Sequence, residues 1–347
     1  MKLGLALGYW GREQPAGQQE LVALAERLGY DSVWTAEAYG SDALTPLAWL
    51  GSRTTRLRLG TSVIQMPART PTATAMAALT MDHLTGGRFV LGLGASGPQV
   101  VEGWYGQPYP RPLARTREYV AILRQAFARE TVTFDGEFFQ LPAREGTGLG
   151  KPLRPTLHPV RSDIPVLLAA EGPKNVALAA EIADGWLPLF YSPYDDRRYR
   201  DSLAEGFARP GARRGPDDFE VACMVYVAVD DDVQAAADTV RPFLALYIGG
   251  MGARGANFHY EVFARMGYEE ECARIQELYL AGRRQEAEAA VPLEMVEKVA
   301  LVGPPSKIAA ELPIWRESLV TSLLVMGDEK AIRTMAELNL SSKGRGA

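Results

Sequence analysis

The sequence predicts a single (β/α)8 barrel, also called a TIM barrel, with insertions at the carboxyl ends of its strands. Three observations lead to this fold class. The 347 residues, 47% hydrophobic and 23% charged, are enough to bury the core of one large barrel. Short apolar segments alternate with segments of helical spacing, which indicates parallel strands joined by helical crossovers. Eight strand candidates follow one another without a linker between two halves of the chain.

Local signals justify the elements in order. The first helical spacing ends at Gly29, a typical C-terminal cap. Thr70 and Pro71 form an N-cap followed by proline at the first helical position, and that helix ends at Gly86-Gly87. The predicted strands are 3–7, 31–36, 57–64, 88–93, 164–170, 185–189, 219–229 and 322–326, and the predicted helices are 21–28, 44–52, 71–85, 112–128 and 174–183.

Two segments interrupt the repeat of a domain that we expect to span residues 1–340, followed by a tail at 341–347. The segment at about 131–163 contains Asp135-Gly136 between alternating residues, which predicts a hairpin. The segment at about 241–292 contains charged helical stretches. We interpret both as insertions over the active-site face, with too little apolar periodicity to form cores of their own.

Composition excludes several classes of protein. Cys223 and Cys272 are too few for a disulfide framework, and with three scattered histidines they predict no metal site. The net charge of −5 comes with no basic stripe, so nucleic acid is not an expected partner. The chain has no apolar run of about 18 residues and no signal-peptide pattern at its start, so we expect no membrane span and a cytoplasmic location.

The segment from Gly92 to Gly97 matches the G-x-G-x-x-G pattern of nicotinamide-binding Rossmann folds. Its context argues against that reading, because Pro98 and the glycines and prolines that follow prevent a helix of normal length. We interpret it instead as a glycine-rich loop at the carboxyl end of a barrel strand, where the backbone approaches a ligand.

Three segments carry a resemblance to a known family: YDSVWTAE at 30–37, TGGRFVLGLGASG at 85–97 and PVLLAAEGP at 165–173. From Met1 to about Leu340 the chain resembles the bacterial luciferase-like family. Within it, the chain is most similar to the coenzyme F420-dependent (deazaflavin) oxidoreductases that include methylenetetrahydromethanopterin reductase. The resemblance implies a TIM barrel, bound coenzyme F420, hydride transfer at C5 of the deazaflavin to or from a small organic substrate, and a homodimer.

The resemblance also implies the cofactor site. The step from Ser62 to Val63 matches a non-prolyl cis peptide under the cofactor ring, and the loop before the helix at 174–183 matches the phosphate loop. Free backbone N–H groups at that helix start suit an anion, although a plain helix start fits the same residues. The expected cofactor contacts are Ala38, Thr61, Ser62, Val63, Gly94, Ser96, Gly97, Pro98, Ala169, Ala170, Glu171, Gly172, Pro173 and Lys174.

The chain departs from the alcohol and sugar-phosphate dehydrogenases of the family at Glu37-Ala38, where those enzymes have Asp-His. Because no imidazole is available there to remove an alcohol proton, the sequence favours reduction of an activated C=C or C=N bond. Glu37 is the catalytic candidate, as a proton relay or cofactor contact, or else it bonds only to the backbone. The alternatives are an FMN-dependent monooxygenase and a flavin- or deazaflavin-binding protein without catalysis.

Aromatic side chains near the expected mouth predict a substrate pocket, although they could equally cap the barrel core. His83 is expected on the outer ring in a structural role. Arg69 is expected to meet the acidic tail of the cofactor or to lie in solvent, and His259 is a substrate-side candidate in the second insertion. The predicted pocket residues are Tyr9, Trp10, Tyr39, Trp104 and Tyr191.

Overall fold

Eight parallel strands close into a barrel in the computed structural model, which describes residues 1–252 and 254–343. The closed order is β1, β2, β3, β5, β8, β9, β10 and β12, and β12 pairs with β1. This order confirms the (β/α)8 fold class. The barrel strands are β1 Lys2–Ala6, β2 Ser32–Thr35, β3 Arg58–Thr61, β5 Phe89–Gly94, β8 Val166–Ala169, β9 Gly185–Leu187, β10 Glu220–Val229 and β12 Ser322–Met326.

The remaining strands lie beside the barrel. The predicted third strand is divided, because β4 (Ile64–Gln65) follows β3 after a bulge and pairs with β5. The strand β11 (Ala300–Gly303) pairs with the last residues of β10. A short hairpin is formed by β6 (Phe134–Asp135) and β7 (Gln140–Leu141).

The helices cover the barrel and its mouth. Thr70 caps its helix as predicted, because its side chain accepts a hydrogen bond from the N–H of Ala73. In the described residues no helix combines the length and the apolar character needed to cross a bilayer. The helices are α1 Gln18–Arg27, α2 Leu44–Gly51, α3 Pro71–Leu84, α4 Pro98–Gly103, α5 Pro112–Phe127, α6 Pro173–Ile182, α7 Asp196–Phe207, α8 Val233–Asp238, α9 Arg241–Gly249, α10 Phe258–Ala264, α11 Glu269–Leu280, α12 Arg284–Ala289, α13 Leu293–Val299, α14 Pro305–Glu317 and α15 Glu329–Lys343, with 3-10 turns at Met66–Ala68 and Pro193–Asp195. The predicted tail at 341–347 overlaps α15, and residues 344–347 lie outside the described residues.

Trp34 fills much of the barrel interior. It lies in a small cluster of side chains that point inward, and its indole N–H donates to the Ser32 hydroxyl at 2.8 Å. Gly60 makes room for the indole, since a Cβ on Gly60 would lie 2.2 Å from Trp34 Cε3. A larger apolar layer separates the strands from the outer helices. The core is therefore layered as in other filled barrels.

Arg58 closes the floor of the barrel, at the amino ends of the strands. Its guanidinium contacts both Glu220 oxygens, at 3.0 and 2.6 Å, and donates to Asp31 at 2.9 Å. The Ser322 hydroxyl adds a 2.7 Å hydrogen bond to Glu220. Burial alone would raise the pKa of Glu220, but the hydrogen bonds and charge of Arg58 outweigh it and hold this pKa below its usual value.

The first insertion contains the predicted hairpin with a longer turn. Asp135 pairs with Gln140, so the turn spans residues 136–139 rather than two residues at Asp135-Gly136. The reason is the Glu118 carboxylate on α5, which accepts hydrogen bonds from the N–H groups of Glu137, Phe138 and Phe139 at 2.8 to 3.1 Å. A side chain from another element thus adds to the turn's own hydrogen bond, which Gly136 N–H donates to the Phe139 carbonyl at 2.9 Å.

The second insertion corrects the prediction that it lacks a core. Helices α8 to α13, residues 233–299, are here called the cap, and they extend beyond the predicted 241–292 on both sides. Buried cap residues such as Ile248, Phe263 and Met295 form a hydrophobic cluster separate from the two barrel clusters. Phe190, which follows β9, belongs to this cap cluster, so the cap is attached to the carboxyl end of the barrel.

Candidate active site

The bulge between β3 and β4 lies at the carboxyl end of the barrel. The Ser62–Val63 peptide bond is cis, as the resemblance implies. Gly94, at the end of β5, lies beside it, and a Cβ on Gly94 would be 2.7 Å from Val63 Cγ2. Thr61 is fully buried, and its hydroxyl bonds to both the N–H and the carbonyl of Gly92 at 2.9 Å. Its side chain therefore supports the bulge from within the barrel.

The glycine-rich loop continues from β5 into α4. Ser96 has a left-handed φ of 60°, its carbonyl accepts a hydrogen bond from the Tyr109 hydroxyl, and Gly97 is the N-cap before Pro98. Because α4 has only six residues, the G-x-G-x-x-G segment does not open a Rossmann helix. The loop lies next to the bulge through the pairing of Gly94 with Gln65.

The loop after β8 opens the next helix at the same mouth. Gly172 is the N-cap of α6 and Pro173 its first residue. A Cβ on Gly172 would meet no atom within 4 Å, and Lys174 is exposed. Pro173 has no N–H, and the N–H of Asn175 bonds to the Gly172 carbonyl. In the first turn it is therefore the N–H of Lys174 that has no acceptor inside the helix, next to the positive end of its dipole. In contrast, Ala170 is buried, and its carbonyl accepts from the Trp186 indole at 2.8 Å.

Glu37 follows β2, and its side chain is only 3% exposed. One carboxylate oxygen accepts from the N–H of Gln65 at 2.8 Å and from Arg69 at 2.7 Å, and the other accepts from the N–H of Ala43 at 3.2 Å. Burial alone would lower the pKa of Arg69, but the hydrogen bond and charge of Glu37 raise it. Three donors thus hold the carboxylate, and Arg69 is bound to protein. The neighbouring Ala38 is buried, and its carbonyl lies 3.4 Å from the Tyr105 hydroxyl.

His259 reaches the mouth from α10 of the cap. Its Nδ1 lies 2.7 Å from Glu171 Oε1, in the loop before α6. The imidazole packs edge-on against the rings of Tyr247 and Phe190, with centroids 4.8 and 5.8 Å away. The other Glu171 oxygen, Oε2, is buried and has no hydrogen-bond partner among residues 1–252 and 254–343. His83, as expected, lies on the outer helix α3, where Nε2 contacts the His158 carbonyl.

The predicted pocket aromatics separate into three groups. Tyr9 hydrogen-bonds to Tyr247 of the cap, whereas Trp10 is tied by its indole to Gln18. Tyr39 and Trp104 are exposed, by 53% and 65%.

Tyr191 does not belong to the pocket, so that prediction is wrong. It is buried between the strands and the outer helices, against Trp186, Tyr199 and Trp315. Phe190 has a left-handed φ of 58° and is the residue of this pair that lies under the cap.

An apolar cleft lies between the cap and the carboxyl ends of the last strands. Met224, Tyr226 and Met326 line it from the barrel side, and Phe190 and Phe243 from the loop and the cap. Its lining contains no charged side chain. Among the described residues, no group of three or more His, Cys, Asp or Glu side chains is placed to hold a metal ion. The mouth therefore combines a polar side at β2 to β8 with an apolar side at β9 to β12.

Comparison with known proteins decides the family. The sequence pattern of the family described as luciferase-like monooxygenase matches residues 4–322. The chain belongs to this family. A Mycobacterium tuberculosis protein provisionally named a coenzyme F420-dependent oxidoreductase is 57% identical over 342 residues, which cover 97% of this chain and 99% of that protein. The 5,10-methylenetetrahydromethanopterin reductase of Archaeoglobus fulgidus is 33% identical over 231 residues, 66% of this chain and 65% of the reductase.

Solved structures confirm the fold of this luciferase-like protein. The coenzyme F420-dependent tetrahydromethanopterin reductase from Methanopyrus kandleri superposes with a TM-score of 0.79 at 23% identity, over 97% of both chains. An F420-dependent secondary alcohol dehydrogenase, solved with an F420-acetone adduct, superposes with a TM-score of 0.72 at 17% identity, again over 97% of both chains. At these identities the likeness establishes the barrel fold.

Several residues of the luciferase-like mouth were not singled out from the sequence. Tyr247 and Phe190 were missed, and the contact between His259 and Glu171 was not predicted, because those two residues are 88 positions apart. The available signal was the density of aromatic residues around the start of the second insertion. That signal predicts burial but does not show which element the rings face.

Proposed function

We propose that this luciferase-like protein is a coenzyme F420-dependent oxidoreductase that reduces an activated C=C or C=N bond of a small organic substrate. The identity of 57% with a relative named for F420 carries the choice of cofactor. The further 33% identity with a methylenetetrahydromethanopterin reductase agrees with it. The type of bond is a finer proposal, which rests on the residues at the mouth.

The mouth fits a flat ring system with an anionic tail. At one end, the Ser62–Val63 bulge packs against the end of β5 through Val63 and Gly94, and we assign this surface to a planar ring. At the other end, Gly172 leaves the start of α6 open, where a free N–H group and the helix dipole favour a phosphate. Lys174 adds a positive charge beside it. Both features lie on adjacent strands, since β5 pairs with β8.

When bound, coenzyme F420 supplies a two-electron hydride carrier. The residues of the protein bind the cofactor, orient it and keep water away. The bulge and the glycine-rich loop position the ring, the start of α6 binds the phosphate, and the cap excludes water from the apolar cleft. The backbone around Ala170 and the Thr61 hydroxyl support these segments rather than offering free polar groups.

Two observations favour reduction. Ala38 stands where an alcohol-oxidising relative would carry its histidine, and the nearby Glu37 carboxylate is already bound by three donors. A base for removing an alcohol proton is therefore not provided after β2. A cytoplasmic location and a homodimer remain predictions from the sequence.

A binding comparison between F420 and FMN tests the cofactor. The melting temperature of the purified protein is measured against increasing concentrations of each cofactor, because a ligand that binds only the native state stabilises it by mass action. At a hundred times the dissociation constant the expected stabilisation is about 2.7 kcal/mol. We expect this response with F420. Stabilisation by FMN alone would replace the proposal with the FMN-dependent monooxygenase.

A substrate screen tests the reaction. Protein loaded with reduced F420 is mixed with unsaturated ketones, imines and secondary alcohols, and oxidation of the cofactor is followed by absorbance. We expect oxidation with acceptors that contain a C=C or C=N bond. Reduction of oxidised F420 by alcohols would reverse the proposed direction, and binding without transfer to or from any compound would favour a non-catalytic role.

A further inference from the structure

We propose that His259 is a catalytic residue that donates the proton required by the reduction, and that Glu171 is the residue that positions it. The inference rests on the proposed function, because only a reductase of C=C or C=N bonds needs this proton. Its starting point is the pairing of an imidazole from the cap with a carboxylate from the barrel, 2.7 Å apart.

The pair orients the imidazole. A carboxylate can only accept, so the contact makes Nδ1 the donor to Glu171 Oε1 and leaves Nε2 as the second ring nitrogen. Tyr247 and Phe190 hold the ring by edge-on packing on two sides. A carboxylate that fixes an imidazole in this way is the usual means of presenting Nε2 to a reacting group.

The position of the ring is fixed from three sides of the barrel mouth. Glu171 follows β8, Phe190 follows β9, and Tyr247 is hydrogen-bonded to Tyr9, which follows β1. The imidazole therefore lies over the mouth rather than on the outer surface of the cap. Phe190 also lines the apolar cleft, so the imidazole stands at the border between the cleft and the phosphate loop.

Three other groups at the mouth are poorly suited to donate the proton. The Glu37 carboxylate is held by Gln65, Arg69 and Ala43. Burial raises the pKa of the Tyr247 hydroxyl, and burial also raises the pKa of Tyr9, so neither phenol gives up a proton readily. The cap thus contributes the imidazole that the barrel lacks after β2.

The second oxygen of the Glu171 carboxylate and the groups around the pair also bear on the role of the imidazole. Within the part of the chain that the structure describes, this oxygen, Oε2, is buried without a hydrogen-bond partner, so the carboxylate depends on the imidazole contact made by its other oxygen. The titratable and charged groups that face the pair are Tyr247 on α9, Tyr9 after β1, Tyr199 on α7 and Arg265 after α10, whose guanidinium is 3.5 Å from the Glu171 carbonyl.

Reduction of the double bond adds a hydride from the reduced deazaflavin to one atom and a proton to the other. The Nε2–H bond of the His259 imidazolium breaks while a new C–H or N–H bond forms on the substrate. The imidazole is left neutral and regains a proton from solvent when the mouth opens.

The test compares His259→Gln with His83→Gln, a matched control on the outer helix α3. The acceptor is the unsaturated ketone or imine that the wild type reduces fastest. We expect His259→Gln to lower the single-turnover rate at least about 100-fold, with F420 affinity within about threefold of wild type and an unchanged melting temperature. His83→Gln should behave as wild type. An undiminished rate in His259→Gln overturns the inference but leaves the proposed function intact.

Glu171 variants test the positioning role with a measurement that needs no substrate. Nitrogen-15 NMR of histidine-labelled protein at alkaline pH should show the His259 ring protonated at Nδ1. Glu171→Gln, which keeps an acceptor oxygen, should retain this tautomer and most of the rate, whereas Glu171→Leu should lose both. A ring protonated at Nε2 in the wild type overturns the inference. If the wild type binds F420 but reduces no acceptor, the proposed function fails and the inference fails with it.

Discussion

Glu37 links three segments of chain through one carboxylate. It follows β2, and its donors come from the start of α2, from β4 and from the loop that carries Arg69. The β4 donor, Gln65, is two residues beyond the cis bulge. Glu37 therefore fixes the segment that carries Ser62 and Val63.

Replacing Glu37 with glutamine should lower both the stability and the F420 affinity. The glutamine side chain would turn an NH₂ group toward groups that are themselves hydrogen-bond donors. It would also leave the partly buried Arg69 guanidinium without the negative charge that it now contacts. We expect the free energy of unfolding to fall by about 3 kcal/mol, measured by urea denaturation. We expect F420 affinity, measured by fluorescence, to fall at least about tenfold.

Glu26→Gln is the matched control. The Glu26 carboxylate also has three hydrogen-bond donors, the backbone N–H groups of Thr55, Arg56 and Leu57, but it lies in the last turn of α1, at the other end of the barrel. It should lower stability without changing F420 affinity. A Glu37→Gln protein with normal stability and affinity but reduced turnover would restore the proton-relay role.

Tyr191 shows where sequence reasoning fails for a single residue. The sequence places an aromatic pair after β9, but only the backbone decides which ring faces the mouth. The left-handed φ at Phe190 turns that residue toward the cap and leaves Tyr191 in the barrel layer. No periodicity in the sequence reports such a conformation, because a positive φ in a non-glycine residue is uncommon.

At the scale of elements, the start of α6 is the clearest part of the site. The Gly-Pro pair predicts the helix start, and the structure confirms it at Gly172 and Pro173. The strands were also predictable, because buried parallel strands produce continuous apolar runs. Helices α7, α14 and α15 were missed. In α14 the reason is Pro313, since an internal proline counts against a helix.

Gly172→Asp should weaken F420 binding. The residue has extended backbone angles and open space around its Cβ, so aspartate can be accommodated there without steric conflict. Its negative charge would face the phosphate, and we expect F420 affinity to fall about tenfold or more.

The control is Gly215→Asp, at another Gly-Pro step where a Cβ meets no atom within 4 Å. Fluorescence titration of both variants should separate a local charge effect from a general effect of the substitution. Unchanged affinity in Gly172→Asp would place the anion site elsewhere in the mouth.

At the scale of the whole molecule, the barrel was predictable from the sequence and the cap was not. The barrel repeats one pattern of strand followed by helix, so each of the eight apolar strand segments strengthens the prediction made from the others. In the described residues the cap consists of six short helices, of which α9 is largely apolar while α11 and α12 are rich in charged residues, so no helix taken alone indicates a shared core. Only their assembly around residues such as Ile248 and Phe263 creates the second hydrophobic cluster.

Stability of the whole barrel should depend on pH through its floor. The pKa of Glu220 is lowered in the folded state, so its contribution is complete above its unfolded value of about 4.3 and is lost as the pH falls through the folded value. Urea denaturation between pH 7 and pH 3 should show that the free energy of unfolding of the wild type falls steeply as the pH decreases. This fall is called the acid limb here. Glu220→Gln should be less stable at pH 7 and have a shallower acid limb.

Glu286→Gln provides the comparison. Glu286 also pairs with an arginine, Arg283, but both side chains are exposed, so the substitution should leave the acid limb unchanged. Equal acid limbs in the wild type and Glu220→Gln would show that the floor does not contribute to acid unfolding.

The ion pair between Arg58 and Glu220 limits the routes by which ligands reach the site. It joins strands on opposite sides of the barrel and closes the base, while Trp34 fills the space above. Reactants, products and solvent therefore reach the site from the cap side of the barrel. We expect a cofactor bound against the strand ends to lie beneath the substrate, and therefore to enter first and leave last. Kinetics of the intact protein should reveal a compulsory order of binding, with the cofactor ahead of the substrate.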